Sequence, residues 1–260
     1  MIYLNLGCGS KYSNDKSWVN IDFNPREKGV KKVNILKGLP FDSNSVDAVF
    51  SSNMLEHFTR DQGEKHIREC ARVLKKGGII RIVVPDLENV CREYLRILDH
   101  VKNDDSYREK YEYVHIELID QMVRSFAGGD MVKYWEKPTA DLEYVKQRTG
   151  FPEDWAIYKN NPHYQRINRL YQLKQKMVVR MGKLVKYFDA GKYAYSGELH
   201  KWMYDSYTLT NLLENNGFDA IEIMKCNESR IDSWTDFGIE INNDGTEYKP
   251  SCLYVEGVLK

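Results

Sequence analysis

Five short apolar runs, each bounded by turn residues, fill the first 86 positions of the chain. They are Ile2 to Leu6, Trp18 to Asp22, Lys32 to Leu36, Val46 to Ser51 and Gly78 to Val84. Their near-continuous apolar character predicts strands of a parallel sheet buried on both faces. The connections are thin: eight residues separate Gly9 from Trp18, nine separate Asp22 from Lys32, and nine separate Leu36 from Val46. A crossover between parallel strands usually takes a dozen residues and a helix, so these loops hold a turn or two of helix at most. Asp61 to Lys75 is the exception. Ile67, Cys70, Ala71 and Leu74 share one helical face there, and Lys76-Gly77-Gly78 ends the run. A sheet connected this way needs cover from elsewhere in the chain.

The expected source of that cover is residues 87–197, where no strand pattern is present. Asp86 can cap a helix through Val90, Tyr94, Leu95 and Leu98. Tyr111 to Phe126 has helical spacing and stops at Gly128-Gly129, and Asn168 to Phe188 repeats the helical pattern. Tyr204 to Asn215 reads as a helix closed by Asn216-Gly217, followed by strands at Phe218 to Lys225 and Leu253 to Leu259. The pattern predicts an α/β frame from 1–86 and 198–260, with a helical insertion at 87–197 between strands five and six. An insertion of about 110 residues lies well beyond ordinary connection lengths.

Composition narrows the class. Lys+Arg and Asp+Glu are 38 each, which argues against a nucleic-acid binder. The apolar runs are too short to span a bilayer, and no basic-then-apolar leader precedes the first strand. Five cysteines with no C-x-x-C pair read as reduced thiols without structural zinc, which fits a soluble cytoplasmic protein.

Glycines after the first strand, in Leu4-Asn5-Leu6-Gly7-Cys8-Gly9, let backbone approach a ligand closely. A dinucleotide fingerprint needs a third glycine where Tyr12 stands, which disfavours NAD or FAD. Asp22 ends the next strand, where a carboxylate can accept both hydroxyls of a ribose. Further along come Leu39-Pro40-Phe41, Leu55-Glu56-His57 and Arg72-Val73-Leu74-Lys75-Lys76-Gly77-Gly78.

In that order and spacing these motifs resemble the class I S-adenosylmethionine-dependent methyltransferases, over most of residues 2–86 and again at about 200–225. Within them the chain resembles a compact methyltransferase type 11-like subfamily associated with surface-glycan biosynthesis, whose insertion ends near a His-Lys-Trp-Met-Tyr-Asp segment like 200–205 here. The resemblance implies a Rossmann-like, doubly wound, mostly parallel seven-stranded sheet that binds S-adenosyl-L-methionine and releases S-adenosyl-L-homocysteine. It implies that Gly7, Cys8 and Gly9 wrap the methionine part and that Asp22 holds the ribose. Phe23 would lie near the adenine, Leu36 would offer backbone to the adenine edge, and Asn53 would approach the methionine amino group. Two departures stand against it: many members carry an acid where Asn5 stands, and a carboxylate where this chain has Leu36-Lys37.

A methyl group on a sulfonium is already activated, so in-line placement supplies most of the acceleration. A base helps when the acceptor is a hydroxyl, and His57 and His200 are the candidates. Each has a structural alternative, as a loop histidine and as a helix cap beside core aromatics. His115 has no second ligand at metal spacing, and no metal site is expected. His115, Asp120, Arg124 and Tyr204 are candidate acceptor contacts, although Asp120 and Arg124 also suit an intrahelical pair and Tyr204 a core position. The insertion holds 12 of the 18 tyrosines, which suit sugar rings or a helical core equally.

Ala156 to Phe188 carries eight Lys/Arg and no Asp/Glu. That stretch can meet an anionic membrane surface or a phosphorylated acceptor, or be a solvated helix face. The leading expectation is a methyltransferase acting on a hydroxyl of a sugar or glycan intermediate. The alternatives are N- or O-methylation of another small molecule or a protein, and a catalytically degenerate module that only binds.

Overall fold

The computed structural model describes residues 1–25, 27–126, 128–150, 191, 193–194 and 197–260. The expected helix at Asn168 to Phe188 and the basic stretch at 156–188 lie outside the described residues. The chain divides into two compact units, Met1–Asn89 with His200–Lys260, and Val90–Leu199. Among the described residues no helix is long and apolar enough to cross a membrane.

The first unit is built on a seven-stranded sheet of order β3-β2-β1-β4-β5-β7-β6. Its strands are β1 (Tyr3–Leu6), β2 (Trp18–Asp22), β3 (Lys31–Lys32), β4 (Val46–Ser52), β5 (Leu74–Pro85), β6 (Phe218–Met224) and β7 (Cys252–Leu259). The first five run parallel, and β7 is antiparallel to both β5 and β6. This is a Rossmann-like, doubly wound sheet. The order reverses between β1 and β4, and ligands of such sheets bind in the crevice outside the carboxyl ends of the strands at that point.

Strand residues alternate between two faces. Leu4, Leu6, Ile21, Ile80, Ile82 and Val255 pack on one face against α1 (Arg60–Val73), through Ile67, Cys70 and Val73. The helix α6 (Ser206–Glu214) covers the same face through Leu209 and Leu213. Thr59 and Gln62 form a capping box that starts α1, and Asp205 with Thr208 does the same for α6. Tyr204 stays outside α6 and bridges to Asp86 instead, so the helix starts later than the apolar pattern predicts.

The other face carries Tyr3, Trp18, Ala48, Phe50, Val83 and Tyr254. Ile231, Trp234 and Ile239, from the connection between β6 and β7, pack on it. Trp234 sits 5.1 Å from Phe50 and 6.2 Å from Trp18, centroid to centroid. A fully buried Arg81 fastens this connection to the sheet. It donates to Glu240 at 2.6 Å and Glu256 at 2.8 Å, and to the carbonyls of Lys225 and Glu228 at 2.9 and 2.8 Å.

Two element ends also differ from expectation. The strand predicted over Lys32 to Leu36 shrinks to Lys31–Lys32 and is followed by a 3-10 turn at Ile35–Lys37. Asn34 caps that turn by accepting from the Leu36 amide, and Gly38 leaves it at φ 103°. The predicted helix to Lys75 ends at Val73, because Leu74 already pairs with Val46 at the start of β5.

In the second unit α2 (Leu87–Val101), which begins at the end of the first, α3 (Arg108–Val123), α4 (Gly129–Trp135) and α5 (Leu142–Thr149) are described. Among the described residues Tyr113, Met131, Tyr134, Tyr144 and Val145 form a buried cluster there, so these three tyrosines are packing residues. Arg148 pairs with Glu117 at 2.9 Å beneath them.

His66 on α1 adds a pH term to stability. Burial pulls its imidazole down from 6.5 to about 4, and its Nε2 meets Cys70 Sγ at 3.5 Å. The unfolded chain therefore binds a proton that the folded chain refuses. The stability is intact above pH about 6.5 and falls as pH drops toward 4, by up to about 3 kcal/mol. Urea unfolding at pH 7 and pH 4.5 is expected to show a smaller acid loss for His66→Leu than for wild type. Equal losses would contradict this role.

Candidate cofactor and acceptor site

The crevice at the β1/β4 reversal holds a cavity of about 180 Å³. Asn5, Gly7, Cys8, Gly9, Lys11, Asn53, Tyr248 and Lys249 are among its lining residues. Gly7 and Gly9 have φ of 68° and 54°, where a side chain is strained. A Cβ on Gly7 would come within 2.7 Å of Met54, while one on Gly9 would meet nothing within 4 Å. The loop thus presents bare backbone beside open space, which fits a ligand lying against it.

Two buried asparagines hold this loop. Asn5 Nδ2 donates to Lys11 O at 3.2 Å and to Asn20 Oδ1 at 3.3 Å, and Asn20 Nδ2 donates to Ser13 O at 2.8 Å. A carboxylate at position 5 would offer no donor for Lys11 O. The departure at Asn5 therefore has a local structural role. Asp22 closes the loop from the end of β2, accepting from Gly9 N at 3.0 Å and from Asn24 N at 2.8 Å.

Of the seven residues expected to hold cofactor, Gly7, Cys8, Gly9 and Asn53 line the cavity. Asp22 reaches its rim through Gly9. Phe23 is exposed next to Asp22. Leu36 is not at a strand end: it lies in the 3-10 turn with its side chain exposed. Burial and the neighbouring Asp22 push the Cys8 thiol up to about 11, so it packs as a neutral group. Asn53 has φ 49° and lies within 4 Å of Cys252 Sγ.

His57 and His200, expected singly as bases, come together. Their rings meet edge to face with centroids 4.8 Å apart. Between them and the core lies Glu56, fully buried, with Oε1 3.9 Å from His200 Nε2. Burial pushes the Glu56 carboxyl up to about 8, although Lys249 and Asn53 favour its charged form. Glu56, His57 and His200 are not among the cavity's lining residues; Asn53 and Lys249, which are, connect Glu56 to it.

The other candidate acceptor residues have evident neighbours. Asp120 and Arg124 form the intrahelical pair at 3.9 Å. Asp120 also accepts from Asp130 N at the start of α4, and Arg124 donates to the Tyr193 hydroxyl at 2.9 Å. His115 is exposed on α3 beside Tyr94 and Tyr111, each 5.9 Å away. Tyr204 is buried in the core of the first unit, where burial pushes its phenol up to about 12.

Sequence reasoning missed Glu56, Lys11, Tyr248 and Lys249. Lys11 and Lys249 lie 4.6 and 5.1 Å from the centre of the Tyr248 ring, so one aromatic ring gathers two ammonium groups at the cavity. No local pattern marks Tyr248 or Lys249. Glu56 had a signal, as a carboxylate placed directly after the apolar Met54-Leu55 pair.

Residues 4–82 match the model of a methyltransferase domain family. The match runs from β1 into β5, less than a third of the chain, and includes the glycine loop, Asp22, Asn53, Glu56 and His57. No curated protein matches the chain. Among solved structures it is similar to a SAM-dependent methyltransferase from Archaeoglobus fulgidus, at 13% identity over 98% of this chain and 85% of that one, with a TM-score of 0.39. It is also similar to an S-adenosylmethionine-dependent methyltransferase from Mesorhizobium loti, at 12% identity over 99% and 90%, with a TM-score of 0.40. Likeness at that level says nothing about the acceptor.

Proposed function

We propose that this enzyme, an S-adenosylmethionine-dependent methyltransferase by its matched domain, delivers the methyl group to a hydroxyl on a sugar or glycan intermediate. The observation that carries the hydroxyl assignment is the gathering of Glu56, His57 and His200 beside the cavity. An alcohol must lose its proton as the new bond forms, whereas a neutral amine needs less help from a base. The sugar assignment rests on the resemblance at 200–205.

Bound S-adenosylmethionine supplies a methyl group already activated by its sulfonium. The chain's own residues place it. The Gly7-Cys8-Gly9 backbone would lie along the methionine part, and Asp22 would accept from the ribose hydroxyls. Lys11 and Lys249 offer ammonium groups to the cofactor's carboxylate. One imidazole of the His57–His200 pair takes the acceptor proton.

Incubation with methyl-labelled S-adenosylmethionine and a panel of sugar nucleotides, free sugars and amines tests the assignment. Label is expected in a sugar O-methyl ether. The variants His57→Ala and His200→Ala are expected to lower kcat, the one acting as base by about 100-fold, without changing S-adenosylhomocysteine binding. Label found only on amines would overturn the proposal.

A further inference from the structure

Glu56 and His57 reach their meeting point with His200 from segments far apart in sequence. One ligand atom from each, a carboxylate oxygen and two ring nitrogens, lies within 4.8 Å of the others. Glu56 is fully buried, and the groups that favour its charged form, Asn53 and the Lys249 ammonium, leave neither oxygen with a hydrogen bond of ordinary geometry. Burying a carboxylate so sparsely partnered is costly, and a cation bound directly to it would compensate that cost. Neither observation depends on the cofactor or the acceptor.

We propose that Glu56, His57 and His200 hold a divalent transition-metal ion of the zinc class. Two imidazoles and one carboxylate are a donor set that zinc takes in catalytic sites, with a fourth position left open. Bonds of about 2.0–2.2 Å to a tetrahedral ion place ligand atoms roughly 3.4 Å apart. His200 Nε2 and Glu56 Oε1 are already 3.9 Å apart. Rotation of side chains closes the remaining gap, and His57, only half-buried, has the room to rotate.

What the open position does rests on the hydroxyl reading above. It takes the acceptor oxygen, and the ion's charge acidifies that hydroxyl, whose proton passes to water. The oxygen then bonds to the methyl carbon as the carbon–sulfur bond breaks, and the electron pair of that bond returns to sulfur. With the ion bound, the two imidazoles are ligands and the ion takes over the work assigned to a ring base. Without it, the ring base stands.

The test is calorimetric titration of Zn²⁺ into the full chain after chelator treatment, with visible spectra of the Co²⁺ form. One Zn²⁺ per chain and the intense bands of a low-coordinate Co²⁺ site are expected. Glu56→Gln, His57→Ala and His200→Ala are each expected to weaken Zn²⁺ binding at least about 10-fold. Because Glu56 and His200 are buried, His57→Ala is the deciding variant, with its thermal melt checked against wild type. Absence of Zn²⁺ binding by wild type, or wild-type affinity in folded His57→Ala, would overturn the site. A parallel titration with S-adenosylhomocysteine separates the two proposals. Cofactor binding without Zn²⁺ removes the ion and keeps methyl transfer, and Zn²⁺ binding without cofactor does the reverse.

Discussion

Arg81→Met is expected to lower the free energy of unfolding by about 3–5 kcal/mol, read from urea denaturation followed by circular dichroism. Arg81 is fully buried, and so are both carboxylates that it binds. Burial already pushes the Glu240 carboxyl up to about 7, with Arg81 opposing that rise. Removing the guanidinium leaves Glu240 and two backbone carbonyls without their Arg81 donor and leaves Glu256 with only the Ser229 hydroxyl and the Arg230 amide, no cation opposing either buried carboxylate. Replacing the group as a whole, as in Arg81→Met with Glu240→Met and Glu256→Leu, is expected to recover most of the loss, because no bare charge remains. The consequence extends to function. The fastened connection carries Tyr248 and Lys249 to the cavity, so Arg81→Met is also expected to weaken S-adenosylhomocysteine binding. A change within about 0.5 kcal/mol, the range of an ordinary surface substitution, would contradict this role.

Asp22→Ala is expected to weaken S-adenosylhomocysteine binding by about 100-fold. The figure follows from the two charge-assisted hydrogen bonds to the ribose that the proposed role gives Asp22, worth roughly 1.5 kcal/mol each at the low end. The carboxylate has a second task in the free protein, where it accepts from Gly9 N and Asn24 N. Asp22→Asn keeps one acceptor oxygen and is expected to fall between Asp22→Ala and wild type. Calorimetry on the three proteins separates the cases. Affinity within twofold of wild type for folded Asp22→Ala would place the ribose elsewhere.

Much of the frame was legible because it is local. The apolar runs at Tyr3–Leu6, Trp18–Asp22 and Val46–Ser52 are strands, and the glycine loop follows the first of them. The same reading failed at Lys32 to Leu36. Val33 and Ile35 suit a strand, but the side chain of Asn34 caps a 3-10 turn and ends it. What was not legible depends on contacts over long sequence separations. Arg81 meets Glu240 across 159 positions, and no periodicity announces such a pair. The hint was Arg81 itself, an arginine inside Ile79-Ile80-Arg81-Ile82-Val83 that a buried strand tolerates only with a partner. Likewise, His57 and His200 were visible one at a time, and folding made them neighbours of Glu56. The cover of the aromatic face was equally hidden in the sequence. The connection after β6 supplied it with Ile231, Trp234 and Ile239.

The central claim is that the crevice between the glycine loop and β4 is a cofactor site. Titration of the wild-type chain with S-adenosylhomocysteine tests it most directly. Saturable binding of one molecule per chain, displaced by S-adenosylmethionine, is the predicted result. A folded wild-type chain that gives no binding heat and no thermal shift with either compound would contradict the account.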